Sequence, residues 1–249
     1  MSDDFELPDG VEVTPEHLGT PEQILLVGGP GSGKTHSAMT LTEVEGCYPL
    51  LYIDTEGSTI GVADKFDSKR VTVARVKTHK ELKAITDGLL TKKHPYKTVV
   101  IDTLDTAQER AINLLRKKHG DTGDGVFAMW REVGNWLIGA DNDGLIHKLK
   151  SADFLSVLVV HSREEKLDSG AIVEKPRLQG GAKDVLASIP DCVFFQKRAS
   201  KKDGDEVVAE TTVYTVGTKT FQQAKSRFDL PPIMKDATLA SVMKQIRSN

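Results

Sequence analysis

The chain of 249 residues has only two cysteines, little net charge and no long apolar run. Cys47 and Cys192 lie far apart and in no metal-ligand spacing, so we expect small core residues of a protein in a reducing compartment. A net charge of −3 gives no global attraction to polyanions, and any such binding must come from local patches. The lack of a membrane-spanning run and of a signal peptide predicts a cytoplasmic location and no membrane partner.

Lysine and arginine are absent from positions 1–20, where six acidic residues occur. Because Pro8 and Pro15 also interrupt this segment, we expect a flexible arm rather than a folded unit. The rest of the chain, residues 21–249, is long enough to bury a substantial core, and we predict a single domain there. The acidic positions are Asp3, Asp4, Glu6, Asp9, Glu12 and Glu16.

From residue 24 onward, short apolar segments alternate with segments of helical periodicity. Unbroken runs such as Val99–Ile101 and Val157–Val160 suit strands that are buried on both faces. The alternation predicts an α/β fold with a mostly parallel, twisted sheet flanked by helices. The predicted strands are Ile24–Val27, Leu50–Ile53, Val71–Val76, Thr98–Ile101, Leu155–Val160, Cys192–Gln196 and Thr211–Val216. The predicted helices are Lys34–Val44, His79–Leu90, Thr106–His119, Phe127–Lys150 and Ala237–Ser248.

Two turn signals predict hairpins. The segment 201–205 separates the last two predicted strands and contains Asp203-Gly204-Asp205, so we expect antiparallel strands at the C-terminal edge of the sheet. Asp168-Ser169-Gly170 predicts a second hairpin after the strand at Leu155–Val160. Trp130 and Trp136 lie in a segment of apolar periodicity, and we interpret them as packing residues.

A complete phosphate-binding loop follows the first predicted strand. Its glycines let backbone N–H groups approach phosphate oxygens, and the next helix begins at the anion. The lysine is predicted to reach the β- and γ-phosphates of a nucleotide, and the hydroxyl residue to bind Mg²⁺. The loop therefore predicts a nucleoside triphosphate with Mg²⁺; we expect ATP, although the loop does not indicate which base is preferred. The predicted nucleotide-binding residues are Gly28, Gly29, Pro30, Gly31, Ser32, Gly33, Lys34, Thr35 and His36.

Acidic residues follow two further predicted strands. Asp102 ends the run Val99–Ile101 and is the predicted Mg²⁺ ligand beside Thr35. Hydrolysis also needs a base, which cannot come from position 103, because that residue is a threonine. Glu56 follows the strand at Leu50–Ile53, and strand ends of a parallel sheet converge on one crevice. From position alone, a solvated turn residue remains the simpler interpretation of Glu56.

The segment Tyr52-Ile53-Asp54-Thr55-Glu56-Gly57-Ser58 closely resembles the segment after the phosphate loop in RecA-like strand-exchange recombinases. In that family the glutamate is the catalytic base, and a small hydroxyl residue follows the metal-binding aspartate, as Thr103 follows Asp102. The resemblance therefore implies that Glu56 is the base. Where recombinases carry a glutamine that senses the γ-phosphate, this chain has His161, for which a core or surface histidine is the alternative.

Ala224-Lys225-Ser226-Arg227 resembles the Lys-x-Arg finger of RecA-like hexameric helicases and recombinases. In those proteins both charges reach the γ-phosphate of the neighbouring subunit, where they neutralise charge during phosphoryl transfer. The resemblance implies a homo-oligomer, ring or filament, with Lys225 and Arg227 acting in trans. An ordinary basic surface turn is the alternative.

The resemblance covers about residues 22–230 and does not include the long N-terminal domain of cellular recombinases. A core-only chain of this size resembles the short RecA-like ATPases of bacteriophages, the group that includes single-strand annealing proteins. The resemblance implies an ATPase acting on single-stranded DNA in recombination or strand annealing, in the host cytoplasm, with a single-strand DNA-binding protein as a candidate partner. The predicted DNA contact is the segment 163–183, although its acidic residues suit a solvated hairpin equally well. Two functional alternatives stay open: a helicase-type or loader-type motor, and a nucleotide-gated regulatory module with protein partners.

Overall fold

The computed structural model describes residues 20–203 and 206–248. Within these ranges the chain forms a nine-stranded sheet with helices on both faces. The strands are β1 (Gln23–Gly28), β2 (Leu50–Asp54), β3 (Val71–Arg75), β4 (Thr98–Asp102), β5 (Leu155–Lys166), β6 (Ile172–Pro176), β7 (Cys192–Asp203), β8 (Glu206–Tyr214) and β9 (Ile233–Lys235). The helices are α1 (Lys34–Met39), α2 (His79–Thr91), α3 (Leu104–His119), α4 (Asp124–Leu137), α5 (Leu145–Lys150), α6 (Ala182–Val185) and α7 (Leu239–Ser248).

The strand order is β3-β2-β4-β5-β1-β7-β8-β9, and β6 pairs with the far end of β5. All neighbours from β3 to β7 are parallel, whereas β7, β8 and β9 pair antiparallel. This arrangement confirms the predicted mostly parallel sheet with an antiparallel C-terminal edge. The β5–β6 hairpin confirms the turn predicted at Asp168-Ser169-Gly170, while positions 204–205 of the other turn lie outside the described residues.

The central strands are buried on both faces, which explains their unbroken apolar runs. On β1, Leu25 and Val27 pack into the cluster that α2 to α6 cover, whereas Ile24 and Leu26 pack into the cluster that α1 and α7 cover. Cys47 and Cys192 are buried with free thiols, as predicted. In the described part of the chain, no helix is long and apolar enough to cross a membrane.

The predicted single helix Phe127–Lys150 is wrong, because α4 ends at Leu137 and α5 begins at Leu145. Gly139 has a φ of 78°, a left-handed conformation that ends the helix. At Gly144 a side chain would come within 2.2 Å of the Ile138 backbone, so the chain reverses tightly there. The first predicted helix is also too long, since α1 stops at Met39 and a 3₁₀ turn continues to Glu43.

The two tryptophans pack as predicted. Both lie on α4, partly buried against the larger core cluster. Trp136 meets the ring of His79 edge-on at a centroid distance of 4.5 Å, and Trp130 lies against Gly180, where a side chain would come within 2.9 Å of its ring. These contacts use the aromatic surface for packing between helices and loops.

Candidate nucleotide-binding site

The loop between β1 and α1 closes around the side chain of Lys34. Its Nζ donates hydrogen bonds to the carbonyl oxygens of Gly28 at 2.8 Å and Gly29 at 2.9 Å. Only 6% of the Lys34 surface is exposed, and this burial lowers its pKa, although the nearby charges of Asp102 and Asp105 oppose the shift. A buried ammonium at the mouth of a glycine-rich loop suits an anionic ligand.

Two glycines of the loop meet geometric requirements. A Cβ at Gly28 would lie 2.4 Å from the carbonyl oxygen of Gln196 on β7 and 2.7 Å from Oγ of Ser32. Gly33 has a φ of 86° and starts α1 from a left-handed conformation. The loop therefore tolerates no side chain at position 28 and disfavours one at position 33.

Asp102, at the end of β4, is buried and surrounded by hydroxyl groups. Its Oδ2 accepts hydrogen bonds from Oγ1 of Thr35 at 2.8 Å, Oη of Tyr52 at 2.5 Å and Oγ of Ser58 at 2.8 Å. Burial raises the pKa of Asp102, and the three hydroxyls offset part of that rise. A carboxylate and a threonine hydroxyl side by side form the oxygen donor set that Mg²⁺ prefers, so the residues present fit this ion.

The turn that carries Glu56 is organised by Asp54 at the end of β2. Oδ1 of Asp54 accepts the backbone N–H groups of Glu56, Gly57 and Ser58, and Oδ2 accepts both the N–H and the hydroxyl of Thr59. Burial opposes ionisation, but these hydrogen bonds outweigh it and hold the Asp54 pKa below its usual value. Glycine, serine and threonine follow Asp54 at positions 57–59, a composition typical of such a turn, so local sequence could have identified Asp54.

Glu56 extends from this turn toward the start of α3. Its Oε1 accepts a hydrogen bond from Oγ1 of Thr103 at 2.8 Å and another from Oγ1 of Thr106. The same oxygen lies 3.7 Å from Nδ1 of His161, and 28% of the side chain is exposed. Among the described residues no donor contacts Oε2. The carboxylate is thus oriented through one oxygen, while the other is available to a ligand or water.

His161 lies beside the phosphate loop, because β5 pairs with β1 in a register that sets His161 opposite Gly28. Its Nδ1 lies 3.1 Å from Oδ2 of Asp105, a residue of the first turn of α3. Arg177, which follows β6, donates from Nε to the same oxygen at 2.9 Å. Burial raises the Asp105 pKa, but the hydrogen bonds from His161 and the charge of Arg177 outweigh this and lower it.

Most of the predicted site residues line one cavity of about 690 Å³. It contains loop residues together with His36, Glu56, Asp102 and His161. Sequence reasoning missed Gln196, whose Nε2 donates to the Ser32 carbonyl at 2.7 Å, and Arg198 on the same strand. No local motif marks these residues, since β7 reaches the loop only through its pairing with β1.

Lys225 and Arg227 lie elsewhere. The Lys225 backbone pairs with Val193 near the start of β7, and its Nζ donates to the Ser188 carbonyl at 2.9 Å. Nη1 of Arg227 lies 3.2 Å from Oδ1 of Asp191, at the amino ends of the parallel strands. Neither residue lines the cavity of its own chain, and their action on a neighbouring copy stays a prediction.

In the segment 163–183, several cations are paired with carboxylates. Arg163 and Lys175 both contact Glu165, at 3.1 Å and 2.6 Å, and Arg177 contacts Asp105. The segment continues β5 directly beyond His161, so the start of the segment lies beside the cavity. Contact of this segment with DNA stays a prediction.

The loop around Lys34, the Thr35–Asp102 pair and the parallel sheet that positions them define a P-loop nucleoside-triphosphatase fold. Residues 20–228 match the sequence model of a family described as AAA domain, and the chain therefore belongs to that family. The family assignment supports a nucleotide-binding ATPase in general terms. No curated protein matches the chain in a sequence search.

Proposed function

We propose that this protein hydrolyses ATP in a RecA-like site and uses the turnover to act on single-stranded DNA, in phage-type recombination or strand annealing. The observation that carries the proposal is the position of Glu56. Its carboxylate shares one cavity with Lys34 and Asp102, and two threonine hydroxyls orient it through Oε1. This arrangement suits a base that accepts a proton from water beside the terminal phosphate.

The other residues of the cavity have complementary roles in this proposal. Lys34 binds the β- and γ-phosphates, and Thr35 with Asp102 would hold Mg²⁺, which supplies positive charge to the phosphate oxygens when bound. Lys225 and Arg227 of a neighbouring copy add positive charge at the γ-phosphate. Both lie at the amino ends of the parallel strands, where Lys225 is half-buried and 65% of the Arg227 side chain is exposed, and this position supports a role across an interface.

The DNA half of the proposal rests on the hairpin that extends from β5. The end of this hairpin nearest the sheet is joined to the cavity. There the backbone N–H of Arg177 donates to the His161 carbonyl at 2.7 Å, and the Arg177 side chain contacts Asp105. Lysine and arginine contacts to phosphates would suffice for binding that is independent of sequence and sensitive to salt.

The test is the ATPase rate with and without single-stranded DNA, repeated across protein concentrations. We expect Glu56→Gln to keep ATP binding and to lower turnover by about 10²–10⁴-fold, the usual contribution of a positioned base. Glu43→Gln is the matched control, because Glu43 is exposed on the 3₁₀ turn after α1.

Undiminished turnover in Glu56→Gln would reject Glu56 as the base. A rate that DNA leaves unchanged would reject the DNA half, and unwinding of a forked duplex would identify a motor instead.

A further inference from the structure

One histidine and two carboxylates lie together at the edge of the cavity. Ligand atoms of Glu56, Asp105 and His161 all lie within 4.8 Å of one another. Such a set could suit a metal by composition, but its oxygens already accept hydrogen bonds, Asp105 from Arg177 and Glu56 from Thr103. We therefore interpret the group as a hydrogen-bonding network that sets the state of the histidine.

The network determines which ring nitrogen of His161 carries a proton. Nδ1 lies 3.1 Å from Oδ2 of Asp105 and 3.7 Å from Oε1 of Glu56. Ionised carboxylates only accept hydrogen bonds, so the nitrogen between them must be the donor. Asp105 is 2% exposed and its lowered pKa keeps it ionised, which makes it a permanent acceptor at this position.

Asp105 also holds the backbone around the ring. Its Oδ1 accepts the His161 N–H at 3.2 Å, so the two residues are joined by main chain and side chain together. With Nδ1 engaged, Nε2 is the nitrogen left for a ligand, and none of the described residues donates to it or accepts from it. His161 lines the same cavity as Lys34.

We propose that Asp105 is a positioning residue that keeps a proton on Nδ1 of His161, so that Nε2 donates to the terminal phosphate only when the ring is an imidazolium. The inference rests on the proposed nucleotide function and adds a protonation requirement to it. A neutral ring in this tautomer presents a lone pair at Nε2, which cannot pair with a phosphate oxygen that also only accepts. The charged groups around the ring are the carboxylates of Glu56 and Asp105, the Arg177 guanidinium on Asp105, and Lys34 in the same cavity.

The first test compares affinities for a non-hydrolysable ATP analogue and for ADP, which lacks the terminal phosphate. From about pH 6 to about pH 8, the preference for the triphosphate should fall about tenfold, as one charge-assisted hydrogen bond is lost. His161→Gln should abolish this pH dependence, because an amide donates at every pH in the range. His147→Gln on α5 is the matched control and should keep it.

The second test asks whether Asp105 acts through His161. Asp105→Asn should lower the triphosphate preference and have no further effect in the His161→Gln background. Nitrogen-15 NMR of the nucleotide-free protein, with His161 assigned by its loss in His161→Gln, should show the neutral ring protonated at Nδ1. This measurement needs no variant at position 105.

Three results would overturn the proposal: a neutral ring protonated at Nε2, a triphosphate preference that is independent of pH in the wild type, or an equal Asp105→Asn effect in both backgrounds. All measurements use binding or NMR, without hydrolysis or DNA. A protein that shows the expected tautomer and affinities but no turnover would therefore contradict the proposed function and leave this inference standing.

Discussion

Two buried aspartates at opposite ends of the parallel sheet have opposite surroundings. Asp102, at the carboxyl end of β4, accepts hydrogen bonds from the hydroxyls of Thr35, Tyr52 and Ser58. These donors are neutral, and none of the described residues forms a close ion pair with this carboxylate. Burial accordingly raises the Asp102 pKa.

Asp191, just before β7, is also buried but is surrounded by cations. Lys150 lies 2.8 Å and Arg227 3.2 Å from its Oδ1, and backbone N–H groups of Glu22 and Gln23 donate to its Oδ2. Burial alone would raise its pKa, but the Lys150 hydrogen bond and the backbone donors outweigh this and lower it.

The difference separates a carboxylate that holds the fold from one that is available to a ligand. The charge of Asp191 is compensated within the protein, so the residue ties β1 to β7 and to the end of α5. Hydroxyls orient Asp102 but do not neutralise it, and a bound cation would supply the missing charge. We therefore expect Asp102→Asn to lower activity and raise stability, and Asp191→Asn mainly to lower stability.

Asp102→Asn should have the largest effect on activity. We expect turnover to fall about 10³-fold, because the proposed Mg²⁺ site loses its carboxylate. The free energy of unfolding at neutral pH should rise, since the variant removes a buried charge whose folded-state pKa is raised. Hydrolysis across Mg²⁺ concentrations and urea denaturation measure the two effects. Asp87→Asn on the exposed face of α2 is the control, and an unchanged Mg²⁺ dependence in Asp102→Asn would exclude this ligand.

Asp191→Asn should mainly lower stability, by about 2 kcal/mol at neutral pH, because Lys150 loses a buried ionic partner. The folded-state pKa of Asp191 lies below the ordinary value for an aspartate, so its contribution is present above about pH 4 and is lost as the pH falls further. The difference in unfolding free energy between wild type and variant should shrink over that acid range. A difference that grows on acidification would contradict the assignment.

Tyr52→Phe should have the smallest effect. It removes one of three hydroxyls from Asp102 and leaves the packing of the fully buried ring in place. We expect a loss of about 1 kcal/mol in stability and a few-fold weaker apparent Mg²⁺ affinity, the usual worth of one hydrogen bond. Tyr96→Phe, at a partly buried ring packed against the core, is the matched control. If Tyr52→Phe lowered turnover as much as Asp102→Asn, the Tyr52 hydroxyl would be as important for the Mg²⁺ site as the carboxylate, which would contradict this prediction.

Much of the fold could be predicted, because its signals are local. The seven predicted strands correspond to β1 to β5, β7 and β8, and the first four agree closely, since runs such as Val99–Ile101 need burial on both faces. The strands β5 and β7 extend well beyond the predicted ends at Val160 and Gln196, and β8 begins before the predicted Thr211. The short strands β6 and β9 were not predicted as strands, because neither has a distinct apolar run, although the hairpin turn that leads into β6 was predicted. The break between α4 and α5 was missed because Gly139 lies in a segment whose apolar spacing continues across it.

The candidate site also contains residues that local sequence predicted and residues that it did not. The phosphate loop, Asp102 and Glu56 follow predicted strands, and their meeting in one cavity was expected from the sheet edge they share. Tyr52, Asp105 and Gln196 were not predicted, because their partners lie far away in sequence. Tyr52 and Asp102 are 50 residues apart, and Gln196 and Ser32 are 164 apart.

The sequence alone determined the phosphate loop, because glycine conformation and the order of residues 28–35 are local properties. It also determined which segments are strands and that their ends carry oxygen ligands. Only the tertiary structure decided the surroundings of the two aspartates. The strand order β2-β4-β5-β1-β7 brings hydroxyls to Asp102 at one end and cations to Asp191 at the other. Strand order follows from long-range packing, which no local pattern specifies.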